Sequence, residues 1–226
     1  MFYINKKLFT LAVAAMLLLV ATDLNAQAPQ APRKELSRLS SSKTLNDAAT
    51  NEIVGSARSQ LLQKISQTTS KVKSLSSKFT QTKQSAMLQQ PLVMQGMMHY
   101  TAPNQLRWEY TSPEPMAFIL HGDTIWLEKQ GVKSLANNRM MKGITSMVMG
   151  CVTGRQLFSE NDFTTQLFDD GKLYRAEMTP LRKDLKRMFA RMTILFDKAS
   201  LSVVEVRLYE KQGDCSIIQF QPTKVK

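Results

Sequence analysis

The chain has 226 residues and a formal net charge of +12, from 30 Lys and Arg against 18 Asp and Glu. A charge of that size raises nucleic acid as a partner, but the basic residues are scattered rather than interleaved with aromatics in one stripe, so no nucleic-acid partner is expected. With only Cys151 and Cys215, and with His99 and His121 isolated from other ligand types, the composition also excludes a disulfide framework and a metal centre.

The first residues read as a secretory signal peptide, 1–26. Lys6 and Lys7 precede an almost wholly apolar run from Leu8 to Ala21, too short for a permanent membrane span. Cleavage is placed after Ala26, with Ala28 as the alternative. No cysteine follows the run, so no lipid anchor is expected there. Processing leaves a net charge of +11, and export makes nucleic acid still less suitable. A solvated basic surface and attraction to anionic lipid head groups both fit that charge. The periplasm is the expected compartment.

Residues 27–50 mix Pro, Gln, Ser and charges without apolar period, the pattern of a disordered leader. The remaining domain is 51–226. At its start, Leu61, Leu62, Ile65, Val72, Leu75 and Phe79 recur at helical spacing in a stretch without Pro, which predicts one long amphipathic helix capped by Thr50 or Asn51.

The period then falls towards two. Strands are predicted over Leu92–Thr101, Gln105–Thr111, Ala117–Leu120 and Thr124–Glu128, separated by Pro-, Asn- and Gly-containing turns. Leu106, Trp108 and Tyr110 fall on one face of their strand, with Arg107 and Glu109 on the other. Between Met140 and Gly154 lies a Met-rich helical segment interrupted by glycines, each costing a helix about 1 kcal/mol. It reads as short, loosely tied helices. Further strands are predicted over Asp162–Phe168, Leu173–Thr179, Arg191–Asp197, Val203–Tyr209 and Cys215–Gln221. The basic run 181–189 is read as one short helix.

No catalytic constellation is present. The sequence lacks a Gly-x-Ser-x-Gly elbow, an HExxH and a phosphate-cradling loop. Asp169-Asp170 runs into Gly171 and reads as a turn, so no enzyme and no cofactor are expected. The informative feature is adaptable apolar surface, because 12 of the 14 methionines lie beyond residue 26. Methionine fills irregular cores, and it also suits a groove for variable apolar ligands. The glycine interruptions favour the groove.

Phe79-Thr80-Gln81, Gly96-Met97-Met98, Pro103-Asn104-Gln105-Leu106-Arg107-Trp108-Glu109-Tyr110, Pro113 and Gly122-Asp123-Thr124-Ile125-Trp126 occur in that order. In this the chain resembles the LolA family of outer-membrane lipoprotein carrier proteins, over roughly 53–221. The resemblance implies a mainly β fold with α: an incomplete antiparallel β-barrel (a half-barrel) covered by a long N-terminal helix and short lid helices. It implies a cavity for the acyl chains of lipoproteins, lined by Leu106, Trp108, Tyr110, Phe118, Leu120, Trp126 and Met97, under a lid containing Ile144, Met147 and Val148. It also implies a monomer that receives lipoproteins from an inner-membrane ABC transporter and passes them to an outer-membrane receptor. The alternatives are a lipid-binding sensor module and a carrier of another lipid such as a glycolipid. One departure stands out: Ala102 occupies the place of the arginine that latches the lid in the family.

Overall fold

In the computed structural model the described residues are 51–136, 141–142, 145, 148–150, 160–221 and, as backbone, 224–225. The predicted signal peptide and leader, and Met140, Ile144, Met147 and Cys151, lie outside them. The elements below belong to one unit, Glu52–Lys226.

Helix α1 runs from Gly55 to Ser70 and turns Leu61, Ile65 and Thr69 inward at fourfold spacing, the stripe that a half-buried helix requires. It begins after Val54, with no side-chain cap, not at Thr50 or Asn51. It also ends earlier than the apolar period predicts. The Thr69 hydroxyl donates to the carbonyls of Ile65 (2.8 Å) and Ser66 (3.2 Å), and the Val72 N–H closes back on the Thr69 carbonyl. Such local bonds compete with helix propagation. Leu75 and Phe79 therefore belong to a strand, β1 (Ser74–Gln84), not to the helix.

Eleven further strands follow. The first five are β2 (Leu92–Thr101), β3 (Gln105–Ser112), β4 (Met116–His121), β5 (Thr124–Lys129) and β6 (Val132–Leu135). After the Met-rich segment come β7 (Phe163–Asp169), β8 (Leu173–Pro180), a short helix α2 (Lys183–Met188), β9 (Phe189–Asp197), β10 (Val203–Glu210), β11 (Cys215–Phe220) and β12 (Lys224–Val225). All pair antiparallel in the order β6-β5-β4-β3-β2-β1-β11-β10-β9-β8-β7. The path does not close, so the sheet is an open, incomplete barrel.

Two meanders thus meet at one seam between β1 and β11, where Phe79 faces Phe220 and Lys83 faces Ser216. The chain then skips one register position, and β12 continues along β1 with Leu75 opposite Val225. At the far edge, Ile53 donates its N–H to the Leu167 carbonyl (2.7 Å) and Glu52 bridges Phe168, which covers the outer edge of β7.

Alternation gives the sheet a buried face and an outer face. Phe163, Leu167, Ala176, Met178, Met192, Ile194, Phe196, Val206, Leu208 and Ile218 extend the buried face across the second meander, none more than 8 % exposed. Ile194, Phe196, Ala176 and Met178 are fully buried, so this half forms the packed centre of the protein. Among the described residues no helix is long and apolar enough to cross a membrane.

Candidate ligand-binding face

The first meander presents Met94, Gly96, Met98 and Tyr100 from β2, Leu106, Trp108 and Tyr110 from β3, Phe118 and Leu120 from β4, and Ile125 from β5 on the buried face. Leu106, Trp108, Tyr110 and Phe118 are buried and Leu120 is half-buried. The structure therefore brings together five of the seven residues predicted to line one surface.

The other two are corrected. Trp126 pairs with Ile119, which pairs with Arg107, so Trp126 lies on the outer face and is 37 % exposed. Its neighbour Ile125 takes the buried position instead. Met97 pairs with Glu109 and likewise faces outward. Both residues sit in runs where apolar side chains occupy consecutive positions, so composition alone could not choose the face; strand register does. In the lid segment Val148 is helical and half-buried, with Met141 and Thr145 buried near it in sequence. Ile144 and Met147 lie outside the described residues.

Several residues that shape the face were not predicted to line it. Phe79 is the centre of an aromatic cluster: its ring centroid lies 4.4 Å from Trp108, 5.4 Å from Tyr110 in an edge-on arrangement, and 6.5 Å from Phe220. Trp108 and Phe220 also meet edge-on at 6.0 Å. Such tilted and edge-to-face contacts are the favoured aromatic geometries. The strand carrying Phe79 buries Ser77, Gln81 and Lys83 beside it, so its inner row is mostly polar. The signal that marks β1 is the alternation Ser77-Phe79-Gln81-Lys83, with Lys78 and Gln84 exposed.

The polar members are engaged at one end of the face. Tyr110 donates its hydroxyl to Gln81 Oε1 at 2.7 Å. Burial pushes the Tyr110 phenol above its ordinary pKa, an effect partly offset by the nearby Trp108 indole. That indole N–H nonetheless reaches hydrogen-bonding geometry with no group. Lys83, 1 % exposed, extends to Glu210 Oε1 (3.1 Å) and Asp214 Oδ2 (3.5 Å) on the β10–β11 hairpin, tying the two meanders across the seam.

On the outer face Arg107 binds Glu109 at 2.9 Å and grips both oxygens of Glu128 at 3.2 and 3.4 Å. The Arg107 side chain holds the Glu128 carboxyl below the usual carboxylate range. Arg107 is thus committed away from the buried face. Ala102 itself donates its N–H to the Lys73 carbonyl at 2.8 Å.

Among the described residues no group of three His, Cys, Asp or Glu could hold a metal ion. Asp169 accepts from the Gly171 N–H (3.0 Å) and from Lys198, while Asp170 pairs with Arg175 at 2.6 Å. Both carboxylates secure the turn at Gly171, whose φ of +80° suits glycine.

The described elements are thus an open antiparallel sheet with one largely apolar face, preceded by an amphipathic helix that buries Leu61, Ile65 and Thr69. The chain belongs to the LolA family: the model for the outer membrane lipoprotein carrier protein LolA matches residues 70–226, which takes in every strand but little of α1. Among solved structures it is similar to a LolA superfamily protein from Nitrosomonas europaea, at 10% identity and a TM-score of 0.42 over 73% of this chain and 93% of that one. It is also similar to the Mycobacterium tuberculosis lipoprotein LppX, at 14% identity and 0.40 over 76% of this chain and the whole of that one. MucB in the Pseudomonas aeruginosa MucA/MucB complex is a third, at 8% identity and 0.46 over 74% of this chain and 56% of that one. No curated protein matches it in sequence.

Proposed function

We propose that this protein is an exported carrier that shelters the acyl chains of lipoproteins and moves them from the inner towards the outer membrane. The observation that supports it most is the apolar inner face on both sides of β1, reaching from Ile125 on β5 to Leu167 on β7, in a sheet that does not close. The LolA family match supports the choice of cargo. Leu106, Trp108, Tyr110, Phe118 and Leu120 are the proposed cavity side chains on the first meander, with the segment around Ile144, Met147 and Val148 as the lid.

The proposed mechanism is competition. Burying acyl carbon gains about 0.8 kcal/mol per CH₂, so a chain of about sixteen carbons gains on the order of 10 kcal/mol before ordering costs. In the closed state the same face is already covered by protein, and that cover must be displaced. The displaced contacts lower the net affinity, which lets a receptor strip the cargo.

The test is mass spectrometry of the mature protein purified gently from its own cell envelope. Co-purified triacylated lipoprotein is the expected result. A glycolipid or phospholipid in its place would overturn the cargo assignment. A protein that is empty and refuses a fluorescent acyl probe would overturn lipid binding altogether.

A further inference from the structure

Among the described residues three buried side-chain polar atoms lack a hydrogen-bond partner: Trp108 Nε1, Thr165 Oγ1 and Ser216 Oγ. All three belong to the buried face. Thr165 and Ser216 stand in one cross-strand row with Met178, Met192 and Leu208 between them, and Trp108 pairs with Phe118 and Met98. Buried polar groups are nearly always satisfied in folded proteins, so orphans gathered on one face are informative. A hydroxyl can rotate to seek a partner. An indole N–H cannot, because the ring plane fixes its direction, and it can only donate.

We infer that the Trp108 indole N–H is the donor that holds the carbonyl oxygen of an ester- or amide-linked acyl chain. The inference rests on the lipid-binding reading above and adds the chemical group recognised. Trp108 is 3 % exposed and packed against Phe79 and Phe220, an environment without a cation among its ring contacts. A carboxylate or phosphate there would be an unpaired buried charge, whereas a neutral carbonyl loses little on burial once it accepts a bond. The nearest polar alternative is the Tyr110 hydroxyl, whose proton is already given to Gln81. An acyl chain with its carbonyl at Trp108 has its linkage inside the protein, not at the mouth. The face thus distinguishes an acyl chain from a plain hydrocarbon of equal length.

The test compares dioctanoyl phosphatidylglycerol with its dioctyl ether analogue, which has the same chains without carbonyls, on the mature wild-type protein and on Trp108→Phe. The wild type is expected to favour the ester by roughly fivefold, the worth of one hydrogen bond, and Trp108→Phe to bring the ratio close to one. A fold-independent readout is the indole proton shift in the wild type: the ester moves the Trp108 signal downfield, the ether does not, and the outer-face Trp126 stays put. Equal binding of ester and ether, or an equal Trp108 shift with both, overturns the inference and leaves lipid binding standing. If neither lipid binds, both the inference and the lipid-binding reading are overturned.

Discussion

The Phe79 ring occupies the space in which a side chain on Gly96 would begin. A Cβ built on Gly96 would stand 2.4 Å from Phe79 Cζ and 2.1 Å from the Glu109 carbonyl oxygen. The two residues are direct cross-strand partners, and the β2–β3 register shifts between Gln95 and Gly96. A glycine inside a strand marks such a close approach. Gly96→Ala is expected to destabilise the protein by about 2–4 kcal/mol in urea unfolding, above the ordinary range for overpacking because backbone as well as ring must move. Adding Phe79→Leu should restore only part of the loss, since the Glu109 carbonyl remains. Full rescue would show that the ring alone sets the constraint.

Lys83 is buried by the strand that carries it and neutralised by the hairpin it faces. Replacing it with Met leaves Glu210 and Asp214 without their shared cation, although both keep some access to water. The expected cost is about 1–3 kcal/mol, below that of a fully buried pair. A double-mutant cycle with Glu210→Gln should show coupling of at least about 0.5 kcal/mol; additive effects would remove Lys83 from the role of seam clamp.

Tyr110 makes stability depend on alkaline pH. Its folded pKa is raised, while in the unfolded chain a tyrosine ionises near 10. Below that point both states hold the proton and the group contributes nothing. Above about pH 10 only the unfolded state releases it, so stability falls with rising pH. Tyr110→Phe should remove that part of the alkaline slope, while lowering stability by about 1–2 kcal/mol at neutral pH through the loss of a bond to buried Gln81. An unchanged slope between pH 10 and 11 would contradict the burial of this phenol.

The two tryptophans report on opposite faces. Acyl ligands are expected to change the emission of Trp108 in a Trp126→Phe variant and to leave Trp126 unaffected in a Trp108→Phe variant. Met97→Gln should likewise leave uptake within about twofold, as an outer-face residue whose change perturbs stability by under about 0.5 kcal/mol. A response from Trp126 would relocate the binding surface to the outside of the sheet.

Most strands could be read from the sequence because one row of each is apolar and the other wet, as in Leu106-Trp108-Tyr110 against Arg107-Glu109. The exceptions have physical causes. β1 was hidden because its buried row is Ser77, Gln81 and Lys83 beside a single Phe79, and because Leu75 and Phe79 extend the helical period of α1 by chance. β6 has no buried position at all. The face of Met97 and of Trp126 depends on register, which runs of mixed apolar residues such as Met97-Met98 and Ile125-Trp126-Leu127 do not encode. The aromatic cluster, which joins β1, β3 and β11, was not legible, because Phe79 and Phe220 are separated by well over half the chain.

The seam between β1 and β11 also sets the order in which this chain can fold. Hairpins within each meander are local and can form as soon as their strands are available. The central pairing joins residues 79–84 to residues 215–220, so β1 keeps one edge unpaired until nearly the whole chain has been made. Contacts of such long sequence separation are slow to form. A polypeptide built this way stays incomplete at its centre until β11 is available, and it carries an open strand edge, open to wrong pairing, in the interval.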